Sequence, residues 1–217
     1  MPSTTPRRGP GPALERLAAE ARRCRICEGE LPLGPRPVFR VSATARLLIV
    51  GQAPGTRVHE TGIPWNDASG ERLRDWLGLD RESFYDERRI AIVPMGLCYP
   101  GVDRNGGDRP PRPECAPAWH GRFLALMPRI ELTLLVGSYA HAFHLAGQRK
   151  AAMGETVAAW RDYLPRYWPL PHPSWRNIAW LRRNPWFAEE LLPELRRRVR
   201  ELVREPGSDE ARGPKPP

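Results

Sequence analysis

Three short apolar runs punctuate the chain: RLLIV at 46–50, RIAIV at 89–93 and LTLLV at 132–136. Each is continuous rather than alternating, the pattern of a strand covered on both faces of a parallel sheet. A fourth strand is expected around RYWPL, 166–170. Helical periodicity fills the intervals. Leu14, Leu17, Ala18 and Ala21 mark a short amphipathic helix, Leu73, Trp76 and Leu77 share one face of a second, and Trp119, Phe123 and Met127 one face of a third. Asn184 as N-cap and Pro185 in the first turn open a long final helix, with Phe187, Leu191, Leu195, Val199 and Leu202 inward. Strands separated by helices predict an α/β fold: a single-domain three-layer α/β/α sandwich around a small, about four-stranded parallel sheet with right-handed crossovers.

The ends carry little to bury. Residues 1–12 and 205–217 are rich in Pro, Gly and charge and are expected to be disordered tails around a domain spanning 13–204. No apolar run approaches the ~18 residues of a membrane span. The N-terminus lacks the apolar segment of a secretory signal, so a cytoplasmic protein without membrane partners is expected. A formal net charge of +9 suits a polyanionic partner such as nucleic acid. The basic residues are nearly all Arg, with Lys only at Lys150 and Lys215. Genome base composition produces the same bias, so charge raises the expectation of nucleic acid only modestly. No protein partner is inferable, and a monomer is expected.

The segments after the four strands hold most of the chemistry. They are GQAPG (51–55), PMGLCYPG (94–101), GSYA (137–140) and PHPSWRN (171–177). In a parallel sheet all four gather at the carboxyl edge, where open α/β folds bind ligands. His172 stands between Pro171 and Pro173, with Pro169 just upstream, on a backbone too stiff to drift far. Cys24 and Cys27 form a C-x-x-C, and Cys98 and Cys115 are separated by sixteen intervening residues. In a cytosolic setting such pairs point to metal rather than disulfides, and thiolate softness suits structural zinc and an iron–sulfur cluster equally.

GQAPG after a buried strand, HPS late in the chain and this cysteine layout resemble the uracil-DNA glycosylase superfamily over roughly 13–204, its iron–sulfur branches, families four and five, most of all. The resemblance implies removal of uracil or another deaminated base flipped from DNA, and a structural [4Fe–4S] cluster on Cys24, Cys27, Cys98 and Cys115. Cleaving an N-glycosidic bond leaves positive charge on the sugar and negative charge on the departing base. The site therefore needs a carboxylate or activated water near the sugar, donors near the base, and an aromatic face for the flipped ring. His172, the HPS histidine, is expected to donate to the uracil O2. Trp65 falls where these families place a stacking aromatic, and Asp67 where family five has an aspartate, so Asp67 is expected to activate water or stabilise the sugar cation. Asp67 also suits a helix cap. Gln52, with Gly51, Ala53, Pro54 and Gly55, is expected to line the base pocket and position water. Ser69, Gly70, Ser174 and Arg176 are candidates for phosphate. Arg176, Ile178 and Trp180 are candidates for a wedge that fills the space left by the flipped base, although Ile178 and Trp180 equally suit packing.

Three departures from the families matter. Position 53 is Ala where family one carries its aspartate, and Gln52 stands where family four has Glu. Pro94 replaces the asparagine that reads the uracil edge in family four. Base discrimination is then expected from backbone groups near Met95 and Gly96, or from Asn66, with Asn177 as a further pocket candidate. This favours broader substrates such as hypoxanthine, xanthine or oxidised pyrimidines. A superfamily member that binds nucleic acid with altered or lost glycosylase activity is the alternative, followed by a zinc-binding α/β enzyme of small molecules.

Overall fold

A computed structural model describes residues 11–104 and 106–204. The expected tails lie outside the described residues, except that Pro12 already begins the first helix. The element order is α1 (Pro12–Arg22), β1 (Leu47–Val50), α2 (Thr56–Thr61), α3 (Ala68–Leu77), α4 (Arg81–Phe84), β2 (Ile90–Ile92), α5 (Cys115–Ala125), β3 (Leu132–Val136), α6 (Ser138–His144), α7 (Met153–Ala158), β4 (Tyr167–Leu170), α8 (Ile178–Arg183) and α9 (Leu192–Val203). The four strands form one parallel sheet in the order β2-β1-β3-β4.

The apolar runs are continuous because alternate residues enter two different cores. Leu47, Ile49, Ile90, Ile92, Leu134, Val136, Trp168 and Leu170 face the layer of α3 and α9. Leu48, Val50, Ala91, Val93 and Leu135 face α1 and α5. All inward positions expected of the final helix are buried. Their four-residue repeat exceeds the 3.6 residues of an α-turn, and a wider π turn over Phe187–Leu191 takes up the surplus. Asn184 differs from expectation. Its side-chain amide donates to the Trp180 carbonyl and accepts from Trp186 Nε1, so it closes α8 instead of capping the next helix with its side chain.

The order β2-β1-β3-β4 puts the reversal of strand order between β1 and β3, where ligands bind in such sheets. Behind that edge, His120 on α5 and His141 and His144 on α6 are packing residues. His120 Nε2 bonds the Pro94 carbonyl and His141 Nε2 that of Leu135, each at 2.9 Å. His144 Nε2 is buried with no partner among the described residues. Burial, with the nearby His120 and Arg166 adding positive charge, pushes His144 down to about 3. Unfolding lets it protonate near its ordinary value, so the unfolded chain binds the extra proton between that value and about 3. Stability is therefore full above the unfolded value and falls as pH drops through this window. The urea midpoint should decrease between about pH 7.5 and about pH 5, with a smaller decrease in H144F than in the wild type.

Candidate active site

The loops at the carboxyl edge are zipped to one another by backbone hydrogen bonds. Met95 N–H donates to the Gly51 carbonyl and Gly96 N–H to that of Gln52, each at 2.9 Å, so the exit of β2 holds GQAPG open and rigid. Gly137, just past β3, has φ of +91°, which an L side chain rarely adopts. A β-carbon there would lie 3.6 Å from that of His172, so this glycine lets the β4 exit come close. The His172 carbonyl accepts from Asn177 Nδ2 at 2.7 Å, and the Pro173 carbonyl from Arg72 Nη1 of α3 at 2.9 Å. The histidine loop is thus braced from both sides in addition to its prolines.

These loops surround a pocket of about 520 Å3, counted out to its open mouth. Val38, Val58, Ile92 and Pro94 make its apolar depth, and Gly51, Ala53, Pro54 and Gly55 form one wall. Trp65 and His172 face each other with ring centroids 5.6 Å apart and planes 33° apart. Gln52, Asp67, Ser69 and Asp108 supply polar atoms.

Trp65 is held with unusual force. Its φ is +56°, a left-handed conformation in a bulky residue. A β-carbon on Gly70 would sit 1.7 Å from the Trp65 carbonyl oxygen, and one on Gly51 2.6 Å from the indole Cζ2. Buried Arg74 donates to the same carbonyl at 3.2 Å. Asp67 serves two purposes with two oxygens. Oδ1 caps α3 by accepting the Gly70 N–H at 2.8 Å, while Oδ2 turns toward Gly55, 4.0 Å from where a β-carbon would stand. Burial lowers the basicity of His172, opposed by the negative charges of Asp67 and Asp108, with Arg176 weakly reinforcing the drop. The imidazole is therefore neutral near neutral pH and can donate one N–H without bringing a charge.

The uracil DNA glycosylase superfamily model matches residues 39–196. The chain belongs to this superfamily. The matched span contains the whole sheet and both loops that face the pocket, and membership supports a DNA glycosylase-like hydrolase acting on DNA.

Within that superfamily frame, several residues expected at the base or at phosphate are occupied elsewhere. The N–H groups of Met95 and Gly96 are spent on GQAPG, and neither residue lines the pocket. Asn66 is a strut: its Nδ2 donates to Thr61 Oγ1 at 3.4 Å and its Oδ1 accepts from Arg81 at 3.0 Å. Asn177 orients the His172 loop from outside the pocket. Gly70 is buried, and its N–H belongs to Asp67 rather than to a phosphate. Ser69 does line the mouth, whereas Ser174 precedes the 3-10 turn Trp175–Asn177 outside it. Arg176 donates to the Gly106 carbonyl at 3.3 Å and lies 5.1 Å over the Trp175 ring. Trp180 packs against the core and Ile178 is half-buried, so neither forms a protruding wedge. The residue that protrudes is Trp175, 69% exposed, directly after the HPS triplet. Arg72, Arg74, Asp108 and Trp175 were not found from the sequence; only Trp175 carried a signal, as a large aromatic beside a motif.

Cys24, Cys27, Cys98 and Cys115 line one cavity, closed by Leu31, Pro35 and Pro37 and by the Gly96–Leu97 backbone. Leu97 N–H points at the Cys115 sulfur at 3.2 Å. Burial pushes the Cys98 thiol up to about 11 and the Cys115 thiol to about 12, with the other cysteines adding to both. Among the described residues no group of three or more His, Cys, Asp or Glu side chains is placed to hold a metal ion. The four cysteines that share this cavity are the residues that could hold a metal ion or cluster.

The contrast between two glycines tests the geometry. Gly70→Ala forces a backbone clash that no rotamer change relieves, and its urea midpoint should fall by the equivalent of about 1–3 kcal/mol or more. Gly55→Ala meets only Asp67 Oδ2 at 4.0 Å and should keep the wild-type midpoint.

Proposed function

We propose that this protein is a monofunctional DNA glycosylase that hydrolyses the N-glycosidic bond of uracil or another deaminated base flipped out of DNA, initiating base excision repair. The observation that carries the reading is the pairing of Trp65 and neutral, half-buried His172 across one pocket, with the free oxygen of Asp67 at its side. The extruded base lies against the indole, and its O2 takes the His172 N–H as negative charge develops. Asp67 Oδ2 orients and deprotonates water at the sugar. Gln52 Nε2 is tied to the Arg109 carbonyl at 3.1 Å, which leaves its Oε1 for the water or the base. Trp175 is the side chain fit to stack where the base has left the helix.

Among the described residues Gln52 is the one side-chain amide lining the pocket, with its Nε2 already engaged, while Asn66 is engaged outside it and Pro94 forms part of the wall. Selection then rests on shape, and the substrate range extends beyond uracil to hypoxanthine, xanthine and oxidised pyrimidines. The cysteine cavity is the place for a structural [4Fe–4S] cluster, held by Cys24, Cys27, Cys98 and Cys115. Such a cluster takes no part in the hydrolysis and joins α1 to the loops around the pocket.

A panel of lesion-bearing oligonucleotides tests the activity. Base release is expected from uracil-containing DNA, reduced by roughly 100-fold or more in H172A. Asp67→Asn keeps a good cap, so its thermal midpoint should match the wild type while excision falls by about 100-fold. Equal activity in the wild type and D67N would reduce Asp67 to a cap. Salt-sensitive DNA binding without base release would favour the reading as a binding protein. Metal analysis should return about four irons per chain and a brown protein; zinc in their place would refute the cluster.

A further inference from the structure

The segment between Cys98 and Cys115 does more than connect two cysteines. It folds back on itself, with Val102 bridged to Asp108 and Arg109 N–H bonded to the Gly101 carbonyl at 2.9 Å. Its return limb is then tied to both motif loops. Gln52 of GQAPG donates to the Arg109 carbonyl, and Arg176, after HPS, donates to that of Gly106. A β-carbon on Gly96 would lie 3.0 Å from that of Pro111, so the strap is also packed down on the β2 exit. Between these anchors the strap carries Asp108 into the pocket wall, where its negative charge reaches His172.

We propose that Asp108 is a second catalytic carboxylate of this pocket, stabilising the positive charge on the deoxyribose while Asp67 handles the water. The assignment rests on the glycosylase reading above. Two observations separate the roles. Asp108 is exposed and stands at the mouth, while the pocket depth is apolar, so a base that fills the depth leaves its sugar beside this carboxylate. Asp67 has one oxygen fixed by the cap and the other directed at the GQAPG loop, the posture of a group that holds a water. An anion at the mouth of a DNA-binding pocket opposes the phosphates in the ground state. It gains only when C1′ becomes cationic, which is the differential binding that lowers a barrier.

The step balances without a further reagent. The bond from C1′ to the base nitrogen breaks, and its electron pair leaves with the base, whose O2 takes the His172 hydrogen bond. The water oxygen bonds to C1′, one water proton passes to Asp67, and the base collects a proton from solvent on release. Asp108 exchanges no proton.

Single-turnover excision, on whichever base the wild type releases, decides the matter together with DNA affinity on an oligonucleotide bearing uncleavable 2′-fluoro-deoxyuridine. Asp108→Asn should lower the excision rate by about 10- to 100-fold and leave affinity unchanged or tighter, since a charge facing phosphate has gone. Asp108→Glu should recover part of the rate. Wild-type rate in D108N overturns the assignment. So does a loss of rate matched by weaker binding and a lower thermal midpoint, which marks a structural strap. If the wild type releases no base at all, the glycosylase reading falls and takes this assignment with it; an active wild type matched by D108N removes this assignment alone.

Discussion

The Trp65 carbonyl oxygen occupies the place where a side chain on residue 70 would begin, and the pocket takes its shape from that contact. A left-handed tryptophan costs on the order of 1–3 kcal/mol, and it persists because its surroundings leave it no alternative. Arg74 holds the carbonyl, Asp67 holds the Gly70 N–H, and Gly51 makes room for the indole. Each of these anchors belongs to a regular element or abuts one. Leu73, Trp76 and Leu77 seat α3 in the core beneath the sheet, so apolar burial far from the pocket fixes the angle of the ring inside it.

The electrostatics of the site run against those of the molecule. A net charge of +9 supplies attraction for a polyanion, which lets the pocket itself be apolar in its depth and anionic at its rim. His172 is desolvated enough to stay neutral, although Asp67 and Asp108 pull it the other way. In the proposed reaction, a protonated imidazole there would neutralise the carboxylates that the sugar cation needs. Keeping it neutral would separate the two charges of that transition state, the negative one at the base and the positive one at the sugar.

The layers and the meeting of the loops were readable because they follow from local pattern and one topological rule. Continuous apolar runs meant strands buried on both faces, and parallel strands end on one edge. That alone brought GQAPG and His172 together, and the resemblance added Trp65 and Asp67. The hydrogen bonds that finish the site were hidden for the opposite reason. Arg72 reaches the Pro173 carbonyl across 101 positions and Gln52 the Arg109 carbonyl across 57, and no periodicity signals such pairs. Met95 and Gly96 have backbone donors, but which acceptor they meet depends on how two strand exits lie side by side. Asn66 was misplaced likewise, because an amide four residues from Gly70 can serve a base or brace a loop, and Thr61 and Arg81 were there first. The break at Asn184 escaped because an N-cap residue and the closing residue of a preceding helix share the same chemistry.

The cysteine cavity is linked to the pocket through Gly96. Gly96 borders the thiols and packs against Pro111 of the strap, while its N–H holds the Gln52 carbonyl of GQAPG. Cys98 and Cys115 are the two ends of that strap, and Leu97 N–H, beside the Cys115 sulfur, lies between Gly96 and Cys98. The cluster proposed for the four thiols would therefore fix both ends of a segment whose middle is tied to Gln52 and Arg176. Anchored at its ends and its middle, the strap would have little freedom left, and the position of Asp108 would become a property of the cysteine site. A structural group outside the pocket can in this way govern the chemistry at its mouth without touching the substrate.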